Sequence, residues 1–134
     1  MQNDIRKQIF HSIEKLPFFV NFLDDGIKGT QEHYSDLLLA KPKPHVLDDE
    51  TVDACTKTYT NQAFYIECHE RQGAKWQKEA VTEQQKSDNQ KFLDKCKDLR
   101  ELNDKILSLL TELRKGTINR ILEMDDAELG LRFM

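Results

Sequence analysis

Glycine and proline are scarce in this chain. Its 134 residues include five glycines and three prolines, and runs of β-branched residues are absent, which disfavours a turn-rich β fold and favours helix. Cysteine is scarce too. Cys55, Cys68 and Cys96 form an odd set at spacings of 13 and 28, which is neither a disulfide framework nor a CxxC zinc site. Free thiols on apolar helix faces act as small hydrophobes and suit a reducing compartment. No charge sign dominates: 20 basic and 24 acidic residues give a formal charge of −4. The densest basic stretch, Lys91, Lys95, Lys97 and Arg100, is interleaved with Asp94, Asp98 and Glu101. That is no phosphate-neutralising stripe, and nucleic acid is not expected as a partner. Long hydrophobic runs are missing as well. The longest mostly apolar stretch, Leu16 to Leu23, is far too short to span a bilayer, and Met1 to Lys7 lacks the apolar core of a signal peptide. The expectation is a cytoplasmic protein with no membrane partner.

What is present is helical periodicity. Phe92, Leu99, Ile106 and Leu113 recur every seven residues. Leu102 and Leu109 follow three positions after Leu99 and Ile106, and Cys96 fills the corresponding gap between Phe92 and Leu99. This is an a/d seam of about three heptads separated by charged residues, the pattern of a coiled-coil-like helix packed on other helices. The fold class is all-α, a helical bundle.

The Pro-containing linker, residues 41–47, divides the chain. Lys41-Pro42-Lys43-Pro44 excludes helix and favours an extended connector. Before it, residues 1–40 read as an N-terminal helical cluster. Asn3 or Asp4 caps a first helix to about Lys15, with Ile5, Ile9, Phe10 and Ile13 on one face. Pro17 opens a second segment that Gly26 ends, and Thr30 caps a third after the break at Gly29. Beyond the linker, residues 48–134 read as a long antiparallel helical hairpin with short C-terminal helices, the whole forming one structural domain. Asp48 caps the first long helix, with Asp49 and Glu50 complementing its dipole, and Val52, Cys55, Tyr59, Ala63, Ile66 and Trp76 keep helical step. Thr82-Glu83-Gln84-Gln85 fits a capping box and places the turn near Val81. Each arm is then roughly 50 Å long at 1.5 Å per residue. Ser87-Asp88-Asn89-Gln90 offers a later turn, and an unbroken helix to Gly116 is the third arrangement. Gly116 reads as the residue closing the seam helix, Thr117 as a cap for Ile118, Ile121 and Leu122, and Asp125 with Glu128 as the start of a last turn.

Catalytic and metal signals are weak. Glu67-Cys68-His69-Glu70 gathers ligand types, but neighbours on a helix point about 100° apart and do not converge on one ion. His69 falls at an interface position of the Val52 register. His11 with Glu14, or a site pooling His11, His33 and His45, is the remaining metal option. No Gly-x-Ser-x-Gly elbow, P-loop or GxGxxG motif occurs, and Cys68 has no base in reach from its own helix. No catalytic residue, cofactor or metal ligand is assigned.

Interaction is the better reading. Phe18, Phe19 and Phe22, with Val20 and Leu23, are costly to leave in water, at roughly 1.5–3 kcal/mol per large side chain. They plug the end of a bundle or dock a partner. The C-terminal Leu129 to Met134 is a second apolar candidate. Short N-terminal helices cover only part of the long hairpin, so a second copy is expected to cover the rest as a homodimer with isologous contacts. The candidate interface is Phe18, Phe19, Phe22, Tyr59, Ile66, Trp76, Phe92, Leu99, Leu102, Ile106, Leu109 and Leu113. The expected function is a non-enzymatic protein–protein interaction module (an adaptor, chaperone-like binder or regulatory subunit) with an unknown protein partner. The alternative is a ligand- or metal-binding bundle that uses the histidines and aromatics.

Overall fold

In the computed structural model, residues 8–124 and Gly130 are described. The hairpin forms where local side-chain chemistry demands it. Asp48 accepts the Thr51 N–H at 2.7 Å and starts α2, Asp49–Glu79. Those hydrogen bonds hold the Asp48 carboxyl below its usual range. Thr82 Oγ1 accepts the Gln85 N–H at 3.0 Å, and Gln85 Oε1 accepts the N–H groups of Thr82 and Val81 at 3.1 and 2.9 Å. This capping box starts α3, Glu83–Arg114. The turn therefore lies at residues 80–82, and neither the later turn at Ser87 nor the unbroken helix is realised.

The N-terminal part differs from the sequence expectation. A single helix, α1, runs over Leu16–Leu39 through both Gly26 and Gly29. Neither glycine adopts positive φ. Each costs only about 1 kcal/mol against alanine in a helix interior, and burial outweighs that: Leu16, Leu23, Thr30 and Leu37, seven residues apart, are all buried. Residues 8–12 are not helical, and Ile13–Lys15 form a 3-10 turn that leads into Pro17. The backbone there is taken by side chains of α2. Gln72 Oε1 accepts the His11 N–H at 2.7 Å, and Trp76 Nε1 donates to the His11 carbonyl at 3.0 Å. Ile9 and Phe10 are exposed rather than on a buried helix face.

Three helices thus run up, down and up. α1 and α2 each lie along α3, and their own backbones stay further apart. The buried rows are Val52, Tyr59, Ile66 and Gly73 on α2, and Phe92, Leu99, Ile106 and Leu113 on α3. The second buried row of α3 is Asn89, Cys96, Asn103 and Leu110, its last three members four residues after Phe92, Leu99 and Ile106 rather than three. Leu102 is only partly buried, and Leu109 is buried beside that row. Two apolar clusters result. One joins Leu16, Leu23, Ile66, Trp76, Phe92, Cys96 and Leu99. The other joins Leu37, Val52, Tyr59, Ile106, Leu110 and their neighbours.

A polar layer separates the clusters. Gln62 Nε2 donates to Asn103 Oδ1 at 3.0 Å and to Thr30 Oγ1 at 3.4 Å, and Asn103 Nδ2 donates to the Tyr59 carbonyl at 3.0 Å. His33 Nδ1 and the Tyr59 hydroxyl are also hydrogen-bonded. Each helix contributes to this layer: Thr30 and His33 from α1, Gln62 and Tyr59 from α2, and Asn103 from α3. A buried polar group at a seam position fixes register, because sliding a helix would leave it unpaired.

At the far end, the connector is more compact than the extended form expected, with a 3-10 turn at Pro44–Val46. α3 ends without a left-handed glycine, since no glycine among the described residues has positive φ. Gly116 N–H bonds the Leu113 carbonyl at 3.0 Å instead. Thr117 precedes α4, Ile118–Glu123, but its hydroxyl donates to Asp49 rather than capping α4. Arg114 forks onto Asp53 at 2.8 and 3.1 Å, tying α3 to the start of α2. The expected cap at Asn3 or Asp4, the turn from Asp125 to Glu128 and the apolar Leu129 to Met134 lie outside the described residues, Gly130 excepted.

Candidate functional site

Because α1 and α2 meet through side chains over α3, a groove opens between them. Its hollow is about 490 Å³, within the ~300–1,000 Å³ range of ligand pockets. α1 supplies Phe19, Phe22, Leu23 and Gly26. α2 supplies Thr58, Asn61, Gln62, Tyr65, Ile66 and His69, and Leu99 of α3 forms the floor. The local reasons are visible in the sequence. Gly26 contributes no side chain, and a Cβ built there would sit 4.0 Å from Leu99 Cδ2. Leu23, Ile66 and Leu99 are buried members of the first apolar cluster, so the floor is rigid.

The rim is aromatic at one end. Phe18, Phe22 and Tyr65 are 64%, 52% and 56% exposed, and the Phe18 and Phe22 rings stack at 6.4 Å. Phe19 turns inward and packs on Trp76 at 5.7 Å and Phe92 at 6.5 Å. His69 stands in the groove wall between Phe22 at 5.9 Å, Phe19 at 6.1 Å and Phe92 at 6.1 Å. Burial lowers its pKa from 6.5, and neighbouring His11 lowers it further. A second hollow of about 280 Å³, bounded by Gln8, His11, Phe64, Cys68 and Gln72, meets the first along Phe19, Tyr65 and His69.

The residues expected to form an interface separate into two groups. Tyr59, Ile66, Trp76, Phe92, Leu99, Ile106, Leu109 and Leu113 are at most 5% exposed within the single chain. Their apolar faces are covered by α1 and by each other, so no second copy is needed to cover the hairpin. This corrects the expected shortfall, which rested on three short N-terminal helices, of which the second and third are joined in α1. Leu102 and Phe19 are partly buried, while Phe18 and Phe22 remain exposed.

The histidines do not pool. His11 lies on the irregular N-terminal segment over α2, His33 bonds Tyr59, and His45 sits in the turn at Pro44–Val46. Among the described residues, no group of three or more His, Cys, Asp or Glu side chains could hold a metal ion. Cys96 is buried with its pKa pushed up to about 12, mainly by desolvation, which leaves it a thiol rather than a nucleophile. No described helix is long and apolar enough to cross a membrane. No family model, curated protein or solved structure matches the chain.

Sequence reasoning missed Gly26, Thr58, Asn61, Gln62 and Tyr65 as groove residues. The signal that could have found them is the seven-residue row Leu16, Leu23, Thr30, Leu37. It makes α1 continuous and turns the row Phe19, Gly26, His33 toward α2, with Phe22 beside it.

Proposed function

We propose that this chain is a non-enzymatic interaction module that receives the apolar face of a partner helix in the groove between α1 and α2. One observation carries the reading: two helices share a third as floor but leave an apolar hollow of about 490 Å³ between them, rimmed by exposed Phe22 and Tyr65. A fourth helix laid there would bury Phe22, Tyr65 and the wall around Leu23 and Ile66. That is the helix-in-groove mode, with anchors at i, i+3, i+4 and i+7. Large aromatics at the centre of such a contact are the usual energetic anchors. A second copy of the chain is a competing source of such a helix face; in this groove it would use the same rim, because the seam is already buried.

Filling the groove tests the reading. Gly26→Leu projects a side chain into the hollow from a helical position with room for its Cβ. Asn21→Leu, on the exposed face of α1 turned away from α2, is the control. A fluorescein-labelled amphipathic peptide with leucines at i, i+3, i+4 and i+7 is expected to bind the wild-type chain and Asn21→Leu, and to lose binding in Gly26→Leu. Equal binding by all three proteins would overturn the proposal.

His69 favours a second reading. Its ring makes aromatic contacts and, among the described residues, no hydrogen bond, so a compact apolar ligand with one polar group could meet it there. Mass spectrometry and an absorbance spectrum of freshly purified protein decide: a co-purifying small molecule supports this reading, and protein free of any supports the helix.

A further inference from the structure

We infer that the helix received between α1 and α2 carries apolar anchors at one end and lysine or arginine along the flank facing α1 toward the other. The inference rests on the groove reading above and adds the chemistry of the partner.

Two rows of α1 side chains form the shoulder over the groove, each spaced by seven. One is Phe18, Asp25, Glu32, Leu39; the other is Phe22, Gly29, Asp36. Both begin aromatic and carry carboxylates further along, and the first closes on exposed Leu39 at the end of α1. Phe22 lines the hollow, so its row borders the groove just outside the inward row Phe19, Gly26, His33, whose last member reaches Tyr59 of α2; the row of Phe18 lies next to it, one step further from α2. Asp25, Glu32 and Asp36 are all exposed, and none is in an ion pair among the described residues. Asp24, by contrast, turns to α3 and pairs with Lys95 at 2.6 Å.

The opposite shoulder is uncharged. Its rows on α2 are Thr51, Thr58, Tyr65 and Ala54, Asn61, Cys68. Lys28 of α1 and Lys57 of α2 lie one row further out, and Lys15 stands at the aromatic end. The groove is therefore electrostatically one-sided: three exposed carboxylates on α1, none of them in an ion pair among the described residues although Lys28 stands three residues after Asp25 and four before Glu32, flank it opposite neutral side chains on α2. Gly29 leaves the middle of the acidic shoulder open, since a Cβ there would have nothing within 4 Å. A basic flank laid against α1 would meet all three carboxylates while the other flank met hydroxyl and amide groups. Complementarity of this kind selects partners and orients them. The same charges act against a second copy, whose formal charge is also −4.

The test uses the full chain and two designed peptides with one shared leucine face, one flanked by lysines and the other by glutamates. Binding is read by fluorescence anisotropy at low and high salt, with the fold of each protein checked by circular dichroism. The lysine peptide is expected to bind about tenfold tighter at low salt, since exposed pairs are individually weak. The gap should narrow at high salt, and the triple variant Asp25→Lys, Glu32→Lys, Asp36→Lys should reverse the preference. If both peptides bind equally and Gly26→Leu abolishes both, the charge inference fails while the groove reading stands. If neither peptide binds, or Gly26→Leu changes nothing, the groove reading fails and this inference with it. A wild-type dimer in light scattering that Gly26→Leu returns to monomer would put a second copy in the groove and overturn the basic partner.

Discussion

His69, half-buried in the groove wall, and Asn103, buried in the polar layer, are both polar groups set among apolar neighbours, yet their energetics run in opposite directions. His69 is surrounded by Phe19, Phe22 and Phe92. Burial, with His11 nearby, lowers its folded pKa below 6.5. As pH falls through about 6.5, the unfolded chain takes up the proton before the folded chain does. Stability is therefore retained above that value and lost between it and the lower folded pKa. Urea midpoints measured from pH 7.5 to 5.5 should fall more steeply for the wild type than for His69→Leu; parallel curves would show that His69 does not titrate in this way. Asn103, by contrast, has its amide satisfied on both sides, by Gln62 and by the Tyr59 carbonyl. Asn103→Ala leaves the carbonyl of α2 and the amide of Gln62 without that partner and opens a void. A loss of about 2 kcal/mol is expected in urea unfolding, and an unchanged midpoint would mean that the layer contributes nothing.

The elements differ in how readily they could be read. The α2–α3 turn was legible because its cause is local: Thr82 and Gln85 are three residues apart and bond each other's backbone. Thr82→Ala is expected to lower stability by about 1 kcal/mol, visible as a shifted thermal midpoint. α1 was not legible as one helix, because Gly26 and Gly29 are local break signals that tertiary burial on α3 overrides. The second seam row was misread for a related reason. Leu102 looks like core, but the alternating four-and-three step along α3 buries Asn103 in its place, and Leu110 is buried beside Leu109. The groove was least legible of all, since it depends on the separation of two helices distant in sequence. Gly29 offers a direct check on α1. Its backbone is helical, and a Cβ meets nothing within 4 Å. Gly29→Ala should therefore raise stability by about 1 kcal/mol, whereas a true helix break at this position would make alanine destabilising.

At the scale of the whole molecule, the polar layer divides the interior into two apolar clusters, and the question is whether they melt together. Trp76, the one tryptophan, is fully buried in the first cluster. The second cluster surrounds Ile106 and Leu110 and contains no tryptophan. All three long helices cross both clusters, and Thr30, Gln62 and Asn103 bridge the three helices where the clusters meet. Losing either cluster would expose one half of each helix and unpair the layer, so the free energy of partial unfolding exceeds that of leaving the clusters joined. Cooperative, two-state unfolding follows. Trp76 fluorescence, which reports one cluster, and far-ultraviolet circular dichroism, which reports all the helices, should give coincident urea transitions. In Asn103→Ala the bridge is cut, and the two transitions should move apart with the fluorescence change on one side of the helical signal. Separate transitions already in the wild type would mean that the layer acts as a boundary between two independently folding ends rather than as the joint that couples them.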